Sequence, residues 1–217
     1  MKCDTRLILA LDETDGAKAK RIADEVAGLV DAIKINWPLV LSTSSQTITE
    51  LSRKAPVICD FKVADIPNTT RLIVEQAVAK GASGVIVHAF VGSDSVRAAV
   101  EASKDADIFV VTEMSHPGGL EFTQPNADML AKVAVDCGAA GVIAPATRPE
   151  RIAHIRRIIG GLKILSPGVG AQGGSASDAL RNGADYIIVG RAIYGAPNVR
   201  KAAEALVDEA RDAVSHK

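Results

Sequence analysis

The sequence predicts an α/β fold, a single (β/α)8 TIM barrel that occupies residues 1–217. Short apolar runs alternate with amphipathic segments along the whole chain, which gives eight strand–helix units. Aromatic residues make up only 3% of the chain, so the core is aliphatic, as in parallel strands buried on both faces. No Ser-, Gly- or Pro-rich linker divides the units, which indicates one domain. A doubly wound open sheet is the main alternative, because periodicity alone does not show that a sheet closes.

The eight predicted strands are short runs dominated by Val, Ile, Leu and Ala, a composition typical of buried parallel strands. In chain order they cover residues 6–12, 32–35, 57–59, 84–88, 108–112, 141–144, 162–166 and 185–189. The third run opens a longer stretch, residues 57–70, in which charged side chains follow the apolar ones directly.

A segment with apolar residues at helical spacing follows each predicted strand. These segments cover residues 16–29, 44–53, 68–80, 93–103, 126–137, 148–159, 176–181 and 199–214. Asp15 is placed to cap the first of these helices. Three helices end in a glycine that supplies a left-handed cap, namely Gly81, Gly138 and Gly183. Residues 37–40 are expected to pack under the second loop, and residues 118–125, which have no apolar period, to form a mobile lid.

Composition narrows the class of function. Lys and Arg number 25 against 26 Asp and Glu, and no basic cluster occurs, so nucleic acid is not an expected partner. No apolar run approaches the roughly 18 residues of a membrane span, and no leader-like segment opens the chain. Three widely spaced cysteines suggest a reducing cytoplasm, where Cys59 and Cys137 behave as small buried apolar groups.

Charged residues stand at the carboxyl ends of the first three predicted strands. Asp12 ends the first strand and Lys34 the second. Asp60 and Lys62 end the third, where alternation makes them point the same way, and Asp65 follows in the turn. Because the carboxyl ends of barrel strands converge on one face, both lysines, Asp60 and Asp65 are expected to form one coupled array. We interpret it as catalytic, with a structural salt-bridge network as the alternative.

The loops after the last two strands predict an anion site. Residues 166–174 read Ser-Pro-Gly-Val-Gly-Ala-Gln-Gly-Gly, and Gly190-Arg191 follows the eighth strand. Glycine-rich turns let backbone N–H groups approach an anion, and barrels commonly bind phosphate with these two loops. Arg191 adds a planar set of donors suited to phosphate. The alternative is that the glycines only make tight turns.

The four histidines receive no catalytic role. His88 is expected to be a satisfied strand-end histidine, and His116 to belong to a structural turn. His154 and His216 are expected to be exposed. No His, Cys and Asp cluster has the spacing of a metal site, so no metal is predicted.

Six motifs stand in order along nearly the whole chain. They are Leu9-Ala10-Leu11-Asp12, Ile33-Lys34, Asp60-Phe61-Lys62-Val63-Ala64-Asp65-Ile66-Pro67, Thr112-Glu113-Met114-Ser115-His116-Pro117, Ser166-Pro167-Gly168-Val169-Gly170 and Gly190-Arg191. Together they resemble the orotidine 5′-phosphate decarboxylases of the archaeal type. The third motif is the most specific, because related barrels keep Asp-x-Lys-x-x-Asp but usually lack the Ile-Pro-x-Thr that follows here.

The resemblance implies a reaction and an assembly. Orotidine 5′-monophosphate (OMP) would be converted to uridine 5′-monophosphate (UMP) and carbon dioxide, the last step of pyrimidine synthesis. No metal or organic cofactor would take part. The enzyme would be a homodimer with its active sites at the subunit interface.

The resemblance also implies roles for the charged residues. Lys62 would donate the proton to C6, and Asp60 would lie beside the departing carboxylate. Lys34 and Asp12 would lie near the ribose hydroxyls. Asp65 would reach the partner's site and complete the charge array there.

The remaining implied contacts are with the base, ribose and phosphate. Thr69 would contact the ribose in the partner's site, and Ser115 and Gln172 the pyrimidine. Gln172 would also reach the phosphate, which Arg191 and the Gly190 backbone would clamp. The complete expected binding set is Asp12, Lys34, Asp60, Ile66, Thr69, Ser115, Pro167, Gly168, Val169, Gly170, Gln172, Gly190 and Arg191.

Two other functions remain open at this point. One is a Mg²⁺-dependent barrel enzyme that shares the Asp-x-Lys-x-x-Asp element, such as 3-hexulose-6-phosphate synthase or 3-keto-gulonate-6-phosphate decarboxylase. The other is a barrel that binds a sugar phosphate without turning it over.

Overall fold

The computed structural model describes residues 4–215, which leaves Cys3 and His216 outside the described residues. Eight parallel strands pair in chain order, and β8 returns to pair with β1, which closes the barrel. The predicted (β/α)8 barrel is therefore confirmed, and the open doubly wound sheet is excluded.

The strands agree with the predicted runs to within a few residues, except that the third continues well beyond Cys59. They are β1 (Leu7–Ala10), β2 (Ala32–Ile35), β3 (Val57–Val63), β4 (Ala82–His88), β5 (Asp107–Val111), β6 (Gly141–Ile143), β7 (Lys163–Pro167) and β8 (Tyr186–Val189). The charged residues Asp60 and Lys62 thus belong to β3 itself.

Helices cover the outside of the barrel. They are α1 (Gly16–Val26), α2 (Trp37–Ser42), α3 (Gln46–Ser52), α4 (Pro67–Ala79), α5 (Ser93–Ala102), α6 (Thr123–Asp136), α7 (Pro149–Ile159), α8 (Ala176–Arg181), α9 (Arg191–Tyr194) and α10 (Val199–Ser215). Asp15 caps α1 as predicted, because its Oδ1 accepts from the backbone N–H groups of Ala17 and Lys18. The predicted glycine caps have φ values of 97° at Gly81, 72° at Gly138 and 107° at Gly183.

Three helical segments differ from the sequence prediction. Of residues 37–40, which were expected to pack under the second loop, only Leu39 is fully buried, Trp37 is 41% exposed, and the segment forms helix α2, whose first turn accommodates Pro38. Helix α9 has only four residues, too few to show a helical period. The predicted loop 118–125 is also largely helical, because it contains a 3-10 helix, Pro117–Leu120, and the first turn of α6.

The barrel interior changes from apolar to polar along the strands. Inside it, apolar side chains such as Ile8, Ile58, Ile86 and Phe109 form a closed cluster. Two residues further along β3, the inward position is Asp60, and Lys34 stands in the same relation to Ala32 on β2. The apolar cluster is thus the floor of a polar opening at the carboxyl ends of the strands, where barrels carry their sites.

Candidate active site

A cavity of about 330 Å³ opens at the carboxyl ends of the strands. It brings together most of the predicted site residues, from both ends of the chain. Those that line it are Asp12, Lys34, Asp60, Lys62, Ser115, Pro167, Gly168, Val169, Gln172, Gly190 and Arg191. The predicted residues Asp65, Ile66, Thr69 and Gly170 do not line it.

Asp60 lies between two lysines on the cavity wall. Its Oδ2 is 2.7 Å from Lys34 Nζ, and its Oδ1 is 2.7 Å from Lys62 Nζ. The side chains of Asp60 and Lys34 are each 7% exposed, whereas that of Lys62 is 37% exposed. Burial acts to raise the pKa of Asp60, but the two ammonium groups outweigh it and lower the pKa. Asp60 and Lys34 therefore do not form a surface ion pair, and Lys62 is the residue of this cluster that is open to the cavity.

The backbone of β3 is irregular where it carries these charges. Pairing with β4 moves from Cys59–Val85 to Val63–Val87, so residues 60–62 stand opposite residue 86 alone. Within this bulge Lys62 has a φ of 43°, in the left-handed region that a lysine seldom occupies. Such strain is concentrated at functional sites, where it aims a side chain. Here the bent strand directs both Asp60 and Lys62 into the same pocket.

The loops after β1 and β2 are joined by a hydrogen bond at one end of the cavity. Asn36 Nδ2 donates to Asp12 Oδ1 at 2.7 Å. Asn36 was not predicted as a site residue, although it lies two residues after Lys34 on the same inward face. Asp12 and Asn36 thus present a hydroxyl-binding pair next to the lysine–aspartate cluster.

The loop after β7 is held by its own backbone. The Gly170 N–H donates to the Gly174 carbonyl oxygen at 2.9 Å, and the Gly174 N–H donates to the Gly168 carbonyl oxygen at 3.0 Å. Gly168 has a φ of 102°, and a Cβ there would meet Thr147 Cγ2 at 3.0 Å, so both conformation and space favour glycine. Arg191 is exposed nearby and has no carboxylate partner among residues 4–215. Its guanidinium is therefore available for an anion.

The loop after β5 depends on a carboxylate that sequence reasoning assigned no role. Glu113 is fully buried, 2.8 Å from Arg148 Nε and 2.9 Å from Arg151 Nε. Arg148 also donates to the carbonyl of Met114, and Thr147 Oγ1 donates to the carbonyl of Ser115 at 3.1 Å. The network fixes the backbone on either side of Ser115, which faces the cavity. The only feature of the sequence that indicates this network is that Glu113 lies two residues after buried Val111, a spacing that puts both side chains on the same face of a strand.

Asp65, Ile66 and Thr69 lie on the outside of this chain's own cavity. Asp65 is exposed, and its Oδ1 accepts from the backbone N–H of Ile66 at 2.7 Å. Thr69 lines a second, apolar groove of about 310 Å³ between α2, α3 and α4. The array of four charges expected from barrel geometry therefore has three members within one chain, because Asp65 lies in the turn after β3 and not on its inward face.

Two histidines differ from their predicted state. His88, at the end of β4, has a buried Nδ1 without a hydrogen-bond partner in the described part of the chain, so it is not a satisfied histidine. Burial, helped by the charge of Lys62, lowers the pKa of His88 to about 4. His154 is half-buried, with its Nε2 2.8 Å from Asp128 Oδ1. His116 lines the cavity as well as starting the 3-10 helix.

The remaining sequence expectations concern cysteines, metals and membranes. Cys59 and Cys137 are unpaired and buried, as predicted. Residues 4–215 contain no cluster of three or more His, Cys, Asp or Glu side chains arranged to hold a metal ion. Among the helices of that range, none combines the length and the apolar character that crossing a bilayer demands.

Comparison with known proteins identifies close relatives. The profile of the "Orotidine 5'-phosphate decarboxylase / HUMPS family" matches residues 5–206. The chain is 55% identical over 212 residues to orotidine 5′-phosphate decarboxylase from Methanococcoides burtonii, which covers 96% of this chain and 99% of the relative. It is 51% identical over 214 residues to the enzyme of that name from Thermococcus kodakarensis, covering 97% of this chain and 99% of the relative.

Solved structures give the same result for the fold. The crystal structure of orotidine 5′-phosphate decarboxylase from Pyrococcus horikoshii superimposes with a TM-score of 0.89 at 52% identity, covering 94% of this chain and 99% of the other. The Methanocaldococcus jannaschii enzyme complexed with the inhibitor BMP gives a TM-score of 0.89 at 44% identity, covering 94% and 97%.

Proposed function

The chain belongs to the orotidine 5′-phosphate decarboxylase / HUMPS family, and we propose that it converts OMP to UMP and carbon dioxide in pyrimidine biosynthesis. The observation that carries the proposal is the Lys34–Asp60–Lys62 cluster at the mouth of the barrel, with both lysines 2.7 Å from one buried carboxylate. Its relatives at 51–57% identity bear the name of this decarboxylase.

Lys62 supplies the central chemistry. Loss of carbon dioxide leaves an electron pair on C6 with no adjacent carbonyl group to delocalise it, so stabilisation has to come from a fixed charge. An ammonium group held against C6 is aimed at the position where negative charge develops. The same group then donates the proton that completes UMP. Lys62 suits this role because its backbone is fixed in the β3 bulge while its amine is open to the cavity.

Asp60 holds Lys62 and faces the substrate carboxylate. The like charges repel in the bound substrate, and the repulsion disappears when carbon dioxide leaves. Lys34 compensates the buried charge of Asp60, so the carboxylate stays ionised in a place that disfavours an isolated charge. Lys34 and Asp12 are also placed to bind the ribose hydroxyls.

The part of the cavity lined by the loops after β7 and β8 binds the phosphate. The glycine-rich loop after β7, the Gly190 backbone and the Arg191 guanidinium provide donors for an anion. Gln172 lies on the same loop, and Ser115 faces the cavity from the loop after β5, so both can contact the pyrimidine. Binding energy gained at the phosphate, remote from C6, then holds the ring in the field of the charged cluster.

We further propose that the enzyme is a cytoplasmic homodimer in which each subunit gives Asp65 and Thr69 to its partner's site. An exposed apolar surface supports the assembly, since Ile66 is 65% exposed, Leu72 45% and Trp37 41%. Thr69 lines the groove beside Trp37 and Leu72, Asp65 directly precedes the exposed Ile66, and neither lines its own cavity. A second subunit would cover the apolar side chains and bring a further carboxylate to the charge cluster.

The test is an ultraviolet assay of OMP loss with purified protein, no added metal and excess EDTA. Continued decarboxylation is the expected result. The matched family also includes HUMPS proteins. A Mg²⁺-dependent activity would disappear with EDTA. Loss of turnover that Mg²⁺ restores would therefore contradict the cofactor-free proposal. A barrel that only binds a sugar phosphate would leave OMP unconsumed under all these conditions.

A further inference from the structure

We propose that Trp37 is a positioning residue that holds Lys62 in its reactive conformation through the carbonyl group of Phe61, an inference that rests on the proposed function. The indole Nε1 donates a hydrogen bond of 3.1 Å to the Phe61 carbonyl oxygen. The indole also stacks on the Phe61 ring, with centroids 4.2 Å apart and planes inclined by 20°. Trp37 therefore contacts both the backbone and the side chain of Phe61, the residue between Asp60 and Lys62.

The Phe61 carbonyl group, which accepts this hydrogen bond, belongs to the peptide unit that joins Phe61 to the nitrogen of Lys62. The φ angle of Lys62 is the rotation about the bond from that nitrogen to its Cα, and it is 43°. A lysine keeps this left-handed conformation only where its surroundings impose it. When the plane of the Phe61–Lys62 peptide unit is fixed, the direction in which the Lys62 side chain leaves the backbone toward Asp60 is restricted as well.

The strand ladder is irregular at this point. Pairing of β3 with β4 skips from Cys59 to Val63, and the register of β2 with β3 runs only from Val57 to Cys59. An interaction from outside the ladder is thus in a position to determine the local geometry. The indole N–H of Trp37 provides such an interaction.

Trp37 is itself placed by a fixed element. It is the first residue of α2, and Leu39 in the same turn is fully buried. The preceding residue, Asn36, is held by its hydrogen bond to Asp12. Trp37 does not line the catalytic cavity but lines the outer apolar groove with Phe61. Within one chain, its route to the reaction is the Phe61 backbone that it contacts.

Two substitutions separate the parts of the contact. Trp37→Phe keeps an aromatic ring over Phe61 and removes the N–H donor, whereas Trp37→Leu removes both. We expect kcat to fall about fivefold to tenfold in Trp37→Phe, the rate equivalent of one neutral hydrogen bond, and further in Trp37→Leu. KM should stay within about twofold, because the phosphate and ribose contacts do not involve Trp37.

A matched control distinguishes positioning from damage to the apolar groove. Leu72 lines the same groove and is 45% exposed. Leu72→Ala reports the effect of weakening that surface alone, and Trp37→Phe should lose more kcat than Leu72→Ala at equal dimer content, with the oligomeric state of every variant followed by sedimentation velocity and its fold by circular dichroism. An equal kcat loss in Leu72→Ala, or a loss that tracks dissociation, would assign Trp37 to the interface and overturn the inference.

The wild-type enzyme is assayed first on OMP, which separates the two proposals. No turnover by the wild type would overturn the proposed function and the role of Trp37 with it. An active wild type beside a Trp37→Phe variant with full kcat would overturn the role of Trp37 alone. The Trp37→Phe result decides the matter even if Trp37→Leu does not fold.

Discussion

Lys62 Nζ lies 2.7 Å from Asp60 Oδ1, on the carboxylate oxygen that Lys34 leaves free. Two lysines and one aspartate of one chain give this cluster a formal charge of +1, in a cavity that Arg191 also lines. The variants below separate the chemistry of the cluster from the binding contributed by the rest of the site.

Replacing Lys62 by alanine should abolish decarboxylation while leaving the fold intact. The side chain is 37% exposed, and Asp60 keeps its ion pair with Lys34, so little stability is lost. Turnover by ultraviolet assay and unfolding in urea check the two halves of the prediction. Lys104→Ala is the matched control, because Lys104 is an exposed lysine with a similar φ of 54° that does not line the cavity. Residual turnover close to that of the control would refute the role of Lys62.

Replacing Arg191 by alanine should weaken substrate binding more than it slows the chemical step. A charge-assisted pair with phosphate contributes roughly 1.5–3 kcal/mol, so KM should rise about tenfold to a hundredfold. Arg181→Ala controls for the loss of an exposed arginine at a helix end away from the cavity. A large fall in kcat at unchanged KM would show that Arg191 acts on the reaction itself.

Mixing two inactive variants tests whether the site is shared between subunits. In a heterodimer of Lys62→Ala and Asp65→Ala chains, one of the two sites contains an intact Lys62 and an intact Asp65. Activity should therefore return on mixing, after subunit exchange has been verified with differently tagged chains. Heterodimers that form and stay inactive would contradict the assignment of Asp65 to the partner's site.

Much of this architecture could be predicted because it depends on local patterns. Apolar runs predict the eight strands, and two-residue spacing predicts the common direction of Asp60 and Lys62, although a bulge and not a regular strand produces that direction. The bulge that sets Lys62 at a φ of 43° could not be predicted, because it results from a register shift between two strands. The Trp37–Phe61 contact, 24 residues apart in sequence, likewise depends on tertiary packing.

The other missed features have the same cause. Glu113 is paired with arginines 35 and 38 residues further along, and no local pattern indicates which charges will meet. Asp65 was placed in the charge array by its spacing, yet the turn after β3 carries it away from this chain's cavity.

Removing the Glu113 carboxylate should destabilise the fold strongly. Glu113→Ala leaves Arg148 and Arg151, which are 17% and 21% exposed, without their common partner. Breaking a buried pair from one side costs about 3–5 kcal/mol, and the partial exposure of the two arginines places this case at the lower end. Urea unfolding measures the loss. Glu75→Ala, which breaks the exposed pair with Arg71, should cost less than about 1 kcal/mol, and equal losses in both variants would contradict the prediction.

His88 should make the protein less stable as the pH falls from about 6.5 toward 4. Burial, and then the charge of Lys62, lower the pKa of His88 to about 4 from an ordinary value of 6.5, while Asp60 opposes the shift. Between these pH values the unfolded chain binds a proton that the folded chain does not, so acidification favours unfolding, by up to about 3 kcal/mol. His88→Asn should remove this part of the pH dependence, measured by urea unfolding at intervals from pH 7 to pH 4. His154→Asn serves as a comparison in which a histidine on the outer helices is removed. An unchanged slope in His88→Asn would mean that the buried imidazole is protonated as easily in the folded protein as in the unfolded chain.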